Sequence, residues 1–149
     1  MAVELREVVE SDLTVLFEHQ RDPEATEMAA FPARDPDAFM AHWKRILDDG
    51  SVLVRTAVDD GRVAGYVTCF ELEGETLVGY WIGREHWGKG VASAALAAFL
   101  LLVEKRPLRA RVATHNAGSI RVLEKCGFAP TGKTEVGDDG VEELLFELR

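Results

Sequence analysis

The stretch Gly83-Arg84-Glu85-His86-Trp87-Gly88-Lys89-Gly90-Val91-Ala92-Ser93 decides how the rest of the chain is read. It follows an extended apolar run, Thr76 to Ile82, and opens an Ala/Leu-rich run that reaches Lys105, so it reads as strand, glycine loop, helix. Gly88 and Gly90, at alternate positions, turn without a Cβ clash and let successive backbone N–H groups converge at a helix N-terminus. Such a concavity binds phosphate, with Lys89 as a cation at its rim and Ser93 as a hydroxyl in the first helical turn. An ordinary strand-to-helix turn explains the glycines equally well, and the loop alone does not choose between the two.

Upstream of the loop the apolar residues alternate. Val52-Leu53-Val54 leads through Thr56 and Val58 into the turn Asp59-Asp60-Gly61, Val63 to Phe70 follows, and Glu73-Gly74 returns the chain to Thr76–Ile82. That pattern predicts an antiparallel meander. Nearer the N-terminus, Val3 to Val9 reads as a strand, and Ser11 as the N-cap of a short helix carrying Leu13, Leu16 and Phe17. The segment Arg21 to Ala33 has weak periodicity and two prolines, and is expected to be a loop with at most a helical turn. Asp35-Pro36 starts another helix, with Phe39, Met40, Trp43, Ile46 and Leu47 on its apolar face and Gly50 as its stop.

Downstream, a helix from about Gly88 to Lys105 is expected to bury Val91, Ala94, Ala95, Ala98, Phe99 and Leu102. The strand Leu108–Thr114 comes next, and a crossover of this length favours a parallel pairing with Thr76–Ile82. Asn116 is a good N-cap for the following helix, Gly127 a good left-handed terminator, and Phe128 is expected to pack on Leu123. Ala129–Val136 and Val141–Leu148 then flank Gly137-Asp138-Asp139-Gly140 as a terminal hairpin, whose edge could pair across a homodimer.

At 149 residues one domain is expected, spanning 1–149 and large enough to bury a core without disulfides or metals. Cys69 and Cys126 lack zinc or redox spacing and read as reduced packing residues, and His19, His42 and His115 have no ligand spacing, so no metal is assigned. The formal net charge of −9 argues against nucleic acid as a partner and suits cationic ones. No apolar run reaches the ~20 residues of a membrane span, and the start lacks a signal-peptide pattern, so a cytoplasmic location is expected.

The order of elements and two motifs resemble the GCN5-related N-acetyltransferase (GNAT) family, and within it the ribosomal-protein N-acetyltransferase branch. The motifs are Trp87-Gly88-Lys89-Gly90-Val91-Ala92, and Asn116 and Ser119 followed by Glu124-Lys125 and Gly127-Phe128. The resemblance implies a mixed α/β fold: an antiparallel N-terminal meander, a parallel pair at the cofactor groove, and flanking helices. It also implies acetyl-CoA as donor, its pyrophosphate on the loop from Trp87 to Ser93 and its pantetheine arm beside the main chain of Trp81 and Ile82, with Asn116 on the arm or simply capping its helix. The first loop position, commonly Gln or Arg in the family, is Trp87, and a tyrosine often found in the second helix as general acid is Leu123. Ser119 therefore stands as the candidate acid, although it could equally bond the local backbone.

The expected reaction is acetyl transfer to a primary amine, on a protein N-terminus or a small molecule, by direct attack in a ternary complex. A lysine amine is roughly 400-fold less available as free base at pH 7 than an α-amine, so an N-terminal acceptor demands less of a base. Glu71, Glu75, Glu85 and His86 are the candidates near strand ends. A non-catalytic acyl-CoA-binding or regulatory domain is the alternative.

Overall fold

The computed structural model describes residues 2–30, 32–136 and 140–149. The strands are β1 (Val3–Arg6), β2 (Leu53–Asp59), β3 (Arg62–Leu72), β4 (Glu75–Ile82), β5 (Leu108–Ala113), β6 (Ala129–Val136) and β7 (Glu142–Leu148). The helices are α1 (Glu10–Arg21), α2 (Pro23–Ala29), α3 (Pro36–Asp48), α4 (Val91–Leu100) and α5 (Ala117–Lys125), with a 3-10 turn at Arg84–His86. All strands join one seven-stranded sheet in the order β1-β2-β3-β4-β5-β7-β6. The meander β1 to β4 is antiparallel, as expected, and α4 carries the chain over to β5, which lies parallel to β4. β7 inserts between β5 and β6, leaving β6 as an exposed edge.

Strand alternation divides the core between the two faces of the sheet. On one face Ala64, Val67, Val78 and Ile82 pack with Val91, Ala95, Leu96 and Phe99 of α4 and Leu123 of α5. On the other, Val54 and Tyr66 pack with Leu13 and Leu16 of α1 and Phe39 and Trp43 of α3. Phe99 and Leu96 are fully buried, contributing about 1.5–3 kcal/mol each. Ala95 beside them lets α4 lie close against the sheet.

Several expectations change at element ends. The first strand stops at Arg6, and α1 begins at Glu10 with Val9 as its cap residue. Ser11 is already helical, because the Asp12 N–H donates to the Val9 carbonyl (2.9 Å) and the Asp12 carboxylate accepts the Val9 N–H (3.0 Å), closing the first turn on Val9. The same buried carboxylate takes two bonds from Arg6 (2.6 and 2.8 Å) and one from Thr56 (2.9 Å). Burial alone would raise its pKa, but these bonds hold it below the usual carboxylate value.

The segment expected as a loop contains α2, capped by Asp22 (3.1 Å to the Glu24 N–H), with Pro23 in its first turn. Asp35-Pro36 starts α3 in the same manner, but that helix ends at Asp48, before Gly50, and Met40 and Leu47 are exposed on it. α4 is shorter than expected at both ends. Gly88 and Gly90 have φ of 74° and 81°, outside the right-handed helical region, and after Leu100 the chain tightens into i to i−3 bonds that bury Val103 and leave Leu102 half exposed. α5 matches its reading, with Asn116 accepting the Ser119 N–H (3.1 Å), Gly127 at φ 94°, and the Phe128 N–H returning to the Leu123 carbonyl (3.0 Å). The turn expected over Gly137-Asp138-Asp139-Gly140 lies largely outside the described residues.

Candidate active site

β4 and β5 share one registered pair, Leu77 with Arg109, and then part company. β4 stays with β3 to its end, where the Gly83 N–H donates to the Ala64 carbonyl (2.8 Å), while β5 stays with β7 through Ala113. The gap opens into a cleft of about 550 Å³. That Gly83 bond also fixes which amides face it. Antiparallel pairing alternates, so the main chain of Trp81 turns toward Tyr66 on β3, whereas those of Tyr80 and Ile82 turn toward the gap. Of the expected pair, Ile82 turns its main chain toward the gap and Trp81 does not; Tyr80 does so in its place. The Ile82 carbonyl is already taken by the Trp87 indole N–H (2.8 Å).

Side chains alternate as well. Tyr80 pairs across β3 with Val67 and lies on the α4/α5 face, while Trp81 pairs with Tyr66 and lies on the α1/α3 face. Both residues line the cleft, together with residues of α4 and α5 on one side and of α2 on the other, so the cleft passes through the sheet.

At one end of the cleft, Gly88, Gly90, Val91, Ala92 and Ser93 form the wall. Gly88 has open space where a Cβ would project, and α4 starts at Gly90 without any side-chain cap, so the amides of its first turn present partial positive charge to the cleft. Lys89, expected at the rim, is exposed and absent from the lining. Arg121 and Lys125 of α5 supply the cations instead. Their 4-residue spacing puts both on one helical face, a signal that was present in the sequence. Among the described residues no carboxylate lines the cleft. Uncapped amides, two cations and glycine clearance fit the phosphates of coenzyme A.

On the α4/α5 face the Tyr80 hydroxyl lies 2.6 Å from the Ser119 Oγ and can also donate to the Ser119 carbonyl (3.2 Å). Burial pushes the Tyr80 phenol up to about 12, against the opposing effect of the Ser119 bond, so it stays protonated. Asn116 also lines the cleft, and since its Oδ1 caps α5, its side-chain NH₂ is the group left to donate. Tyr80 was missed in the sequence because nothing local ties it to a residue 39 positions away.

The four residues named near strand ends, none of them assigned as the base, separate. Glu71 and Glu75 sit at the hairpin end of β4, remote from Ile82, and are paired with Lys105 and Arg109. Glu85 is half exposed and lies 3.6 Å from His86 Nε2, 3.8 Å from His19 Nε2 and 3.4 Å from Arg62. His86 is buried against the cleft, with its Nδ1 3.3 Å from an Asp59 carboxylate oxygen. His115, at the β5 end, places Nε2 3.0 Å from the Glu27 carbonyl; a carbonyl only accepts, so that nitrogen carries hydrogen and Nδ1 of the neutral ring is the acceptor. Burial lowers the pKa of His19, with Glu85 opposing and His86 adding to the effect. Cys69 and Cys126 are free thiols whose pKa values burial raises.

A mixed sheet that splits beside an uncapped helix N-terminus is a frame for an elongated, phosphate-bearing donor met by a second substrate. Comparison with known proteins agrees. Residues 2–129 match the profile of the Acetyltransferase (GNAT) domain. The chain is 28% identical over 141 residues to an uncharacterized N-acetyltransferase, p20, of Bacillus licheniformis, covering 86% of this chain and 79% of that one. In structure it is similar to RimL, a ribosomal L7/L12 alpha-N-protein acetyltransferase in complex with coenzyme A (TM-score 0.82, 16% identity, 99% and 94% of the two chains). It is also similar to a spermidine N-acetyltransferase of Vibrio cholerae in complex with coenzyme A and spermine (TM-score 0.80, 17% identity, 98% and 94%). The chain belongs to the acetyltransferase (GNAT) domain family. It is an acetyltransferase, and acetyl-CoA is the donor its class uses.

Proposed function

We propose that this protein transfers an acetyl group from acetyl-CoA to a primary amine by direct attack within a ternary complex. The observation that carries the reading is the cleft through the sheet, with a hydroxyl pair on one face and a wall from α2 on the other. Bound acetyl-CoA supplies a thioester-activated acetyl group. In this reading the amides of Gly88, Gly90, Val91, Ala92 and Ser93 hold its pyrophosphate, with Arg121 and Lys125 adding charge and Trp87 bracing the loop through Ile82. The gap-facing amides of Tyr80 and Ile82, and the Asn116 NH₂, orient the arm, and Trp81 contributes its side chain to the wall.

Ser119 is the general acid. With Tyr80 as the donor in this pair the Ser119 proton points into the cleft; the amine attacks the thioester carbonyl, the C–S bond breaks, the departing sulfur takes the Ser119 proton, and the proton shed by the nitrogen restores the hydroxyl. Tyr80 thus acts through Ser119 as a positioning residue. The relative named for spermidine and the one named for a protein α-amine both support an amine acceptor. The test is thiol release from acetyl-CoA across a panel of amines. Turnover that falls about 10- to 1000-fold in Ser119→Ala, with acetyl-CoA binding retained, is expected. Binding of acetyl-CoA without turnover of any amine would instead identify an acyl-CoA-binding domain.

A further inference from the structure

We propose that the acceptor is the α-amine of an amino acid or peptide whose first side chain is apolar, seated on the wall formed by Ala25, Met28, Ala29 and Trp81. The inference rests on the transferase reading above and adds the substrate class. With the hydroxyl pair and the phosphate-binding amides on the α4/α5 side, the amine must approach from the opposite face. That face is where Trp81 points, and α2 covers it.

α2 is held across the gap from both sides. Arg84, just beyond β4, bonds Asp22 (2.6 Å) and Glu24, and His115, just beyond β5, lies against the Glu27 carbonyl (3.0 Å). Its inward surface is therefore fixed, and consists of Ala25, Met28 and Ala29. Ala25 is 2% exposed, whereas Met28 is 36% exposed and keeps a flexible apolar side chain free to fit a guest.

Charge points the same way. A polycationic acceptor needs carboxylates, yet none lines the cleft among the described residues, and Asp22 and Glu24 at the start of α2 are both engaged by Arg84. The imidazoles of His86 and His115 do line it. With no carboxylate there, the amine that fits is one that arrives as free base, and at pH 7 an α-amine is roughly 400-fold richer in free base than a lysine side chain. The overall negative charge, which suggested a cationic acceptor, is not carried by the wall that would receive it.

The experiment measures kcat/KM by thiol release with saturating acetyl-CoA for Leu-Gly, Phe-Gly and Asp-Gly dipeptides, free leucine and phenylalanine, spermidine and kanamycin. Leu- and Phe-led acceptors should exceed Asp-Gly, spermidine and kanamycin by about 10-fold or more, the range set by burying one apolar side chain. Free amino acids matching the dipeptides identify a small-molecule acceptor, and dipeptides preferred over free amino acids identify a peptide N-terminus; either supports the proposal. Met28→Glu should lower the Leu- and Phe-led values about 10-fold or more and raise that of spermidine, while the melting shift caused by acetyl-CoA is unchanged. Preference for spermidine or kanamycin in the parent protein overturns this inference and leaves the transferase reading standing, as does an unaltered preference in Met28→Glu. No turnover of any acceptor overturns both.

Discussion

Replacing Tyr80 by Phe removes one oxygen from a pair whose hydroxyls are 2.6 Å apart and leaves the ring to pack as before. The hydroxyl also reaches the Ser119 carbonyl (3.2 Å), so the loss to stability should be that of one to two hydrogen bonds, about 0.5–3 kcal/mol. The effect on turnover should be larger, since the Ser119 hydroxyl then rotates to other acceptors and no longer holds its proton toward the cleft. A fall in kcat of about 10- to 100-fold follows if Tyr80 works through Ser119, at or below the low end of what a positioned proton donor itself supplies. Because the phenol is held up at about 12, its ionisation should leave no break in the kcat–pH profile of the parent enzyme below about pH 11. The decisive measurement is a double-mutant cycle in the thiol-release assay. Ser119→Ala alone and Ser119→Ala with Tyr80→Phe should have nearly the same kcat, since a positioning residue has nothing left to position. Multiplying losses would refute the arrangement and give Tyr80 an independent role; near-normal kcat in Tyr80→Phe would remove it from the mechanism.

Saturating acetyl-CoA should raise the melting temperature, by about 2.7 kcal/mol of stability at 100 times its dissociation constant, and Gly90→Val should abolish that rise, since φ of 81° is strained for a β-branched residue by about 1–3 kcal/mol. An undiminished shift in the variant would put the phosphates elsewhere. Converting Arg121 and Lys125 together to Ala should weaken coenzyme A binding and flatten its salt dependence, measurable by calorimetry at two ionic strengths. Equal affinity and equal salt dependence would remove both from the donor site.

Burial lowers the pKa of His19 below 6.5, so the unfolded chain binds the extra proton first. The stability this neutral ring contributes is complete above about pH 6.5 and declines below it, by at most about 1.4 kcal/mol per pH unit, until the folded pKa is passed. His19→Phe should flatten the pH 5–6.5 limb of a denaturation series; an unchanged slope would exonerate His19.

The features legible in the sequence were those written within a few residues. The Asp35-Pro36 start, the Asn116 cap and the Gly127 terminator depend on bonds spanning three to five positions, and each formed where its residues stood. Alternation identified the meander, and the glycine loop forms one end of the cleft. α2 was equally legible, since Asp22-Pro23-Glu24 repeats the signature that starts α3, but the weak apolar period behind it masked the cap.

Tertiary structure decided what depends on register and side. Whether Tyr80 or Trp81 faces Ser119 follows from the Gly83 to Ala64 bond, which sets the parity of β4; a one-residue slip would exchange them. Lys89 lies in the signature loop yet outside the cleft, while Arg121 and Lys125 reach it from a helix packed on the same face. The cleft wall proposed above for the acceptor joins residues from α2 with one from β4, more than 50 positions apart, and is apolar although the chain carries a net charge of −9. Local propensity reports bonds a residue makes within about one turn or one hairpin. The composition of a cleft is set by which strands separate and which helices cross the gap, and that is fixed only when the sheet is assembled.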